Sequence, residues 1–342
     1  MIKTRVLLVA PDEPDPDALI EAAAVLLGGG LVAFATETVY GLGAVATDAD
    51  AVRGIFEAKG RPSFNPLIVH VADVAQARSL TTEWSDRAES LAGRYWPGPL
   101  TLVVRRTSAI PDVVTGGGET VGLRVPAPTV ARRLIERVGL PLAAPSANRS
   151  NRISPTTAEH VLGDLEGRVH LILDSGPTTV GLESTVLDLT TDPPAVLRPG
   201  PIGRDSLSAT LQGPVVAGGR AARADEADLL TSPGQLSVHY APRTRAVRVA
   251  TLADLAEIDW PPASGLLAFE SIPTDATPTG VARSIHPRAD SASREFYRAL
   301  HDLDARRLDL IVAVEPPPGF EWEAVRDRLS RATVPYQRKS RR

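Results

Sequence analysis

Short β-rich runs alternate with helical patterns through the first two thirds of the sequence, the rhythm of an α/β domain, and no other feature narrows the fold as far. Residues 18–27 (ALIEAAAVLL) carry helical periodicity that stops at Gly28-Gly29-Gly30, and Leu31 to Ala35 then reads as a buried strand. Asp48 stands where it can cap a helix running to Lys59, and a strand follows over 66–71 (PLIVHV). Further strands are expected at 100–105, 120–125, 141–145, 169–173 and 184–189, and Thr156 with Glu159 has the form of a capping box. Between 212 and 245 the periodicity fades into Gly, Pro, Ala and charge, as in a linker. A second, shorter rhythm follows, with strands at 246–250, 264–269 and 308–314 and helices at 251–258, 290–304 and 321–331. The pattern predicts one domain over 15–211, a linker over 212–245 and a smaller α/β domain over 246–342.

A length of 342 residues leaves room for two domains at roughly 100–200 residues each. With 43% hydrophobic and 23% charged residues, disordered and fibrous classes are excluded. The absence of cysteine removes disulfides, thiolate zinc sites and cysteine nucleophiles, and the six histidines form no H-x-x-x-H cluster. Any metal is therefore expected to be a hard ion held by oxygens, and no residue is assigned as its ligand. A net charge of −4 gives no global attraction to nucleic acid, although a local patch stays open. The apolar run Val6-Leu7-Leu8-Val9-Ala10 is too short for a signal core, and nothing approaches the roughly 20 apolar residues that span a bilayer, so a cytoplasmic protein without a membrane partner is expected. Of 37 basic residues only Lys3, Lys59 and Lys339 are lysines. The ratio fits GC-rich coding, but it leaves Lys59 alone in the interior of the chain.

Three dense polar stretches are candidates for chemistry, which in open α/β sheets collects beyond the strand ends. Thr36-Glu37-Thr38-Val39-Tyr40-Gly41-Leu42-Gly43 offers hydroxyls and closely approachable backbone, or is simply a turn that needs small residues. Lys59-Gly60-Arg61-Pro62-Ser63-Phe64-Asn65-Pro66 reads either as a helix end with two solvated cations or as a polyphosphate clamp. The run from Ala144 to Pro155 reads as an anion-binding or a capping loop. Arg124 between Leu123 and Val125, Gly181 to Thr185, and Arg198-Pro199-Gly200-Pro201 add polar groups. His70 on its strand reads as a core histidine or a ligand contact. No Walker loop, dinucleotide fingerprint, G-x-S-x-G or H-E-x-x-H occurs. By residues alone the chain is an α/β protein with a hydroxyl- and arginine-rich anion site.

Five motifs in order, covering about residues 15–205, resemble the YrdC-like domain of threonylcarbamoyl-AMP synthases: 34–43 (FATETVYGLG), Lys59-Gly60-Arg61-Pro62 with Asn65-Pro66-Leu67, Trp96-Pro97-Gly98-Pro99-Leu100-Thr101, Pro145-Ser146-Ala147-Asn148 with Ser154-Pro155-Thr156, and Glu183-Ser184-Thr185-Val186. Ser232-Pro233-Gly234 and Val238-His239-Tyr240-Ala241-Pro242 resemble the linker of the longer, two-domain members. The resemblance implies an open, twisted α/β sheet around a concave active-site cavity and a C-terminal Rossmann-like α/β domain. It implies that L-threonine, bicarbonate and ATP, with Mg²⁺ assisting, give threonylcarbamoyl-adenylate and pyrophosphate. A partner transferase would pass the group to the adenosine beside the anticodon of tRNA.

By the same resemblance Thr38, His70, Arg124, Ala144 and Ser184 would contact threonine. Arg61, Asn65, Thr120, Ser146, Ser154, Arg198 and Tyr240 would contact ATP, and Lys59 with Arg61 would serve catalysis by neutralising phosphate charge. Ala35 stands where the family has proline, and Asn151 replaces a common glycine. Tyr240 would belong to a linker that folds over the cavity as a lid. Two other readings remain: a nucleotide- or RNA-binding module without synthase activity, and carbamoyl transfer to another acceptor. Transient tRNA contact would use Arg326, Arg328, Arg331 and the run Arg338-Lys339-Ser340-Arg341-Arg342, which otherwise reads as a solvated tail.

Overall fold

The computed structural model describes residues 2–218, 240–272 and 281–337. Most of the linker, including Ser232 to Gly234 and Val238-His239, and the C-terminal run from Arg338 lie outside the described residues. Of those described, 2–150 and 154–218 form one compact unit, and 151–153 with 240–272 and 281–337 form a second.

The first unit is built on eleven strands: β1 (Arg5–Leu8), β2 (Val32–Ala35), β3 (Tyr40–Val45), β4 (Ile68–His70), β5 (Leu100–Arg105), β6 (Thr120–Arg124), β7 (Leu142–Ala143), β8 (Leu171–Asp174), β9 (Thr185–Asp188), β10 (Ala195–Arg198) and β11 (Val216–Ala217). They make one mixed sheet in the order β1-β8-β2-β3-β7-β4-β6-β5-β9-β10-β11. Two differences from the predicted boundaries follow from pairing. β1, read from sequence only as an apolar run, pairs in parallel with β8, so the unit begins before residue 15. β11 pairs in parallel with β10, so residues 216–217 belong to the sheet and not to a linker.

Strand periodicity sorts the side chains onto two faces. One face packs Leu67, Val69, Leu100, Leu102, Val121 and Leu123 into the main core beneath the helix Ala49–Lys59 and its neighbours. The opposite face is covered over β2, β7 and β8 by the helices Pro16–Leu27 and Thr129–Val138, whose Leu19, Leu26, Leu134 and Ile135 pack on Val32, Phe34, Leu142 and Leu171. Over β4, β6, β5 and β9 the buried apolar cluster on that face shrinks to Ile68, Val103 and Val186. The alternate positions there are His70, Arg124 and Thr101, all buried. A polar site is thus created where the helical cover ends.

Capping chemistry sets the helix bounds close to those expected. Asp48 accepts from the amides of Asp50 and Ala51, and Gly60 ends that helix at φ 61°, a conformation glycine adopts without strain. The expected capping box at Thr156 is not the cap: Thr157 takes that place and accepts from the His160 amide.

The second unit carries a wholly parallel sheet, with β12 (Ala246–Val249), β13 (Ser264–Ala268), β14 (Ala282–Ser284), β15 (Leu310–Val314) and β16 (Val334–Pro335) in the order β14-β13-β15-β12-β16. The segment read as a helix over 251–258 is a 3₁₀ turn, Leu252–Glu257. The long helix Ala289–Asp304 buries Phe296, Tyr297 and Leu300. No helix among the described residues is long and apolar enough to cross a membrane.

Candidate active site

The β2–β3 turn is buried despite its polarity: Thr36, Glu37 and Thr38 are each at most 5% exposed. Thr36 Oγ1 donates to the Val39 carbonyl at 2.6 Å and lies 2.8 Å from Thr38 Oγ1, which closes the turn internally. Arg124, the last residue of β6, reaches this turn. Its Nη1 donates to Thr38 Oγ1 at 3.0 Å, its Nε to the Gly98 carbonyl at 3.2 Å, and its Nη2 stands 2.8 Å from Glu37 Oε1. The other carboxylate oxygen of Glu37 accepts from the Ala127 amide at 3.1 Å. β3 and β6 are separated by β7 and β4, about 14 Å across a flat sheet, so the contact depends on sheet twist and on the turn leaning over the face.

His70 pairs in register with Arg124 at the end of β4. Burial first and the Arg124 charge second push its pKa down to about 3, so the imidazole is neutral. Its Nδ1 is buried with no hydrogen-bond partner among the described residues, and Phe34 stands edge-on at 6.5 Å. Nearby in sheet order, Ser184 precedes β9. Its Oγ lies 2.8 Å from Thr101 Oγ1 and accepts from Arg198 Nη2 at 3.1 Å, while Arg198 Nε donates to the Ser184 carbonyl. Glu183, next in the chain, accepts a 2.5 Å hydrogen bond from the Ser154 hydroxyl. Gly200 lets this corner close: a Cβ there would lie 2.3 Å from the Thr185 nitrogen.

The cationic cluster lies at the end of the helix Ala49–Lys59. Lys59 is 2% exposed, and its Nζ donates to the Ser146 carbonyl at 2.5 Å and to the Asn148 carbonyl. Burial and the Arg61 charge hold its pKa well below the ordinary lysine value, with Asp164 pulling the other way. Arg61 donates from Nε to the Asn65 carbonyl and from Nη2 to the Pro66 carbonyl, so it braces its own loop. Among the described residues, neither polar atom of the fully buried Asn65 side chain has a hydrogen-bond partner.

The sequence-predicted residues therefore meet in groups: Thr38 with Arg124 and His70, Ser184 with Arg198, Lys59 with Ser146, and Arg61 with Asn65. Ala144 is tied to β4 through its amide on the Ile68 carbonyl, and half-buried Thr120 opens β6 on the same face as Arg124. Tyr240 belongs to the second unit. Its ring is buried against Tyr297 at 5.7 Å and under the Arg328 guanidinium at 5.4 Å, and its backbone is left-handed, φ 63°. Glu37, Thr101 and Glu183 were not singled out for a role, although all three lie inside the quoted motifs. Each is a buried polar residue beside a predicted contact, a relation that only pairing across the sheet reveals. Among the described residues no three His, Asp or Glu side chains group as a metal site.

A family model described as "Telomere recombination" (Sua5_yciO_yrdC) matches residues 24–200, and one described as "Threonylcarbamoyl-AMP synthase, C-terminal domain" matches residues 202–334. The threonylcarbamoyl-AMP synthase of Pyrococcus abyssi is 40% identical, over 91% of this chain and 93% of that protein. That of Bacillus subtilis is 40% identical over 93% of each. The crystal structure of P. abyssi Sua5 complexed with L-threonine superposes with a TM-score of 0.86 at 35% identity, over 97% of this chain and all of that one.

Proposed function

The chain belongs to the Sua5/YrdC family and is a threonylcarbamoyl-AMP synthase, and from that premise we propose that it joins L-threonine, bicarbonate and ATP into threonylcarbamoyl-adenylate, releasing pyrophosphate. The observation that carries this reading is that, among the described residues, the buried Asn65 amide and His70 Nδ1 lack hydrogen-bond partners while lying near the buried cations Arg61 and Arg124. Folded chains satisfy most buried polar atoms, and a bound ligand is one way these two are completed. The relative crystallised with L-threonine supports the amino acid as one ligand.

In this reading Arg124 holds the amino acid's carboxylate with the guanidinium hydrogens not used by Thr38, Gly98 and Glu37. Neutral His70, Thr38 and the backbone near Ala144 surround its amine and side chain. The free amine attacks the bicarbonate carbon and a C–O bond breaks with loss of water, giving the carbamate, one oxygen of which then attacks the α-phosphorus of ATP with pyrophosphate leaving. Asn65, Thr120, Ser146, Ser154 and Arg198 hold the nucleotide, and Lys59 and Arg61 balance the charge that develops on the phosphates. An arriving triphosphate favours the charged form of Lys59, which burial disfavours. Catalysis then rests on positioning and electrostatics, with no side-chain nucleophile. Mg²⁺ would arrive with the nucleotide and would add to the charge neutralisation that Lys59 and Arg61 supply at the phosphates. The product serves threonylcarbamoylation of tRNA in the cytoplasm through a partner transferase.

The test is pyrophosphate release from ATP, Mg²⁺ and bicarbonate with and without threonine. Release should require threonine, and Lys59→Ala and Arg61→Ala should each lower it roughly 10²–10³-fold. Salt-sensitive tRNA binding without threonine-dependent pyrophosphate would overturn the assignment in favour of a binding module.

A further inference from the structure

Ser184 has two neighbours on its hydroxyl, and their chemistry fixes which way its proton points. A hydroxyl offers one hydrogen and two lone pairs. Arg198 Nη2 can only donate, so it occupies one lone pair of Ser184 Oγ at 3.1 Å. Thr101 Oγ1 lies 2.8 Å from the same oxygen, and that is the threonine hydroxyl's sole partner among the described residues. Thr101 and Ser184 are both fully buried, and a buried O–H that donates to nothing is costly; of the two, Ser184 is the one read as facing the substrate, so its hydrogen is the one a ligand oxygen can accept. The Thr101 proton therefore goes to Ser184, filling its second lone pair. The one capacity left on Ser184 is its own hydrogen.

We infer that Thr101 is a positioning residue that makes Ser184 an obligate hydrogen-bond donor, directed at a substrate oxygen and not at the substrate's ammonium. The matching ligand atom is an oxygen of the amino acid's carboxylate or of the carbamate formed from its amine. This rests on the reading that Ser184 faces the amino acid. Thr101 is held for the task by its own methyl, which lies over the backbone of Gly122, where a Cβ would come within 3.0 Å. A bulkier residue at 122 would push that methyl and with it the hydroxyl.

Threonine binding measured by calorimetry on the full chain tests the inference apart from turnover. Thr101→Val keeps the shape and removes the donor; it should weaken threonine binding about fivefold, the size of one ordinary hydrogen bond. Thr101→Ser should bind within twofold of the parent. In the double variant Thr101→Val/Ser184→Ala, affinity should match Ser184→Ala alone, because Thr101 acts only through Ser184. A merely structural threonine would give additive losses instead. Ser184→Ala without effect on threonine affinity would overturn the amino-acid reading of this corner. Weakening by Ser184→Ala with none by Thr101→Val, or additive losses, would overturn the inference alone.

Discussion

Replacing Glu37 with glutamine removes one charge from a buried ion pair and keeps almost everything else. Glu37 and Arg124 side chains are 6% and 4% exposed, with Nη2 and Oε1 2.8 Å apart, so neither charge has water to replace its partner. Removing one member of such a pair typically costs about 3–5 kcal/mol. The glutamine oxygen can still accept from the Ala127 amide, so the lower end applies, about 3 kcal/mol. For a domain of roughly 150–250 residues each kcal/mol moves the melting point about 2–4 °C, which gives a drop of about 6–12 °C for the first unit. Calorimetric melting with and without threonine checks this. The ligand's carboxylate supplies the missing negative charge beside Arg124, so saturating threonine should raise the melting point of Glu37→Gln more than that of the parent. The paired replacement Glu37→Gln/Arg124→Gln should cost less than the sum of the single changes. A variant melting within about 2 °C of the parent, or one that threonine stabilises no more than the parent, would refute the argument that Arg124 is held by Glu37 and receives the carboxylate.

Acid should act through His70: its folded-state pKa, about 3, lies below the unfolded value near 6.5, so the unfolded chain binds the proton first. That contribution to stability is complete above pH 6.5 and is lost as pH falls towards 3, about 2–3 kcal/mol between pH 7 and 4.5; urea midpoints for the parent and His70→Asn should converge over that range, and parallel curves would contradict it. Gly200→Ala drives a methyl into the Ser184–Thr185 backbone and should destabilise by about 1–3 kcal/mol while weakening threonine binding, measured by melting and calorimetry.

Local signals carried much of the first unit. Asp48 and Gly60 bound a helix that reads correctly from its ends because capping is a short-range effect. The polar turn from Thr36 to Val39, the Lys59 loop and the Ser184 stretch were also visible as motifs. The edge strands β1 and β11 are not legible as strands, since each has only two to four residues and gains its stability from the strand beside it; β10 is equally short, at four residues. The role of Glu37 escaped for the same reason: its neighbour Arg124 is 87 positions away, and only sheet order brings them together.

The sequence by itself determined the α/β class, the family, and which polar residues are present to meet an amino acid and a nucleotide, because periodicity, caps and contiguous motifs are written locally. Tertiary structure alone decided which face of the sheet those residues share and how each is held. Strand register and the limits of the helical cover put His70, Arg124, Thr101 and Ser184 on or beside the part of one face that lies beyond those helices, and burial there lowered the pKa of His70. Those are long-range consequences of packing, in which a neutral histidine and a guanidinium bound by its own glutamate follow from what surrounds each group.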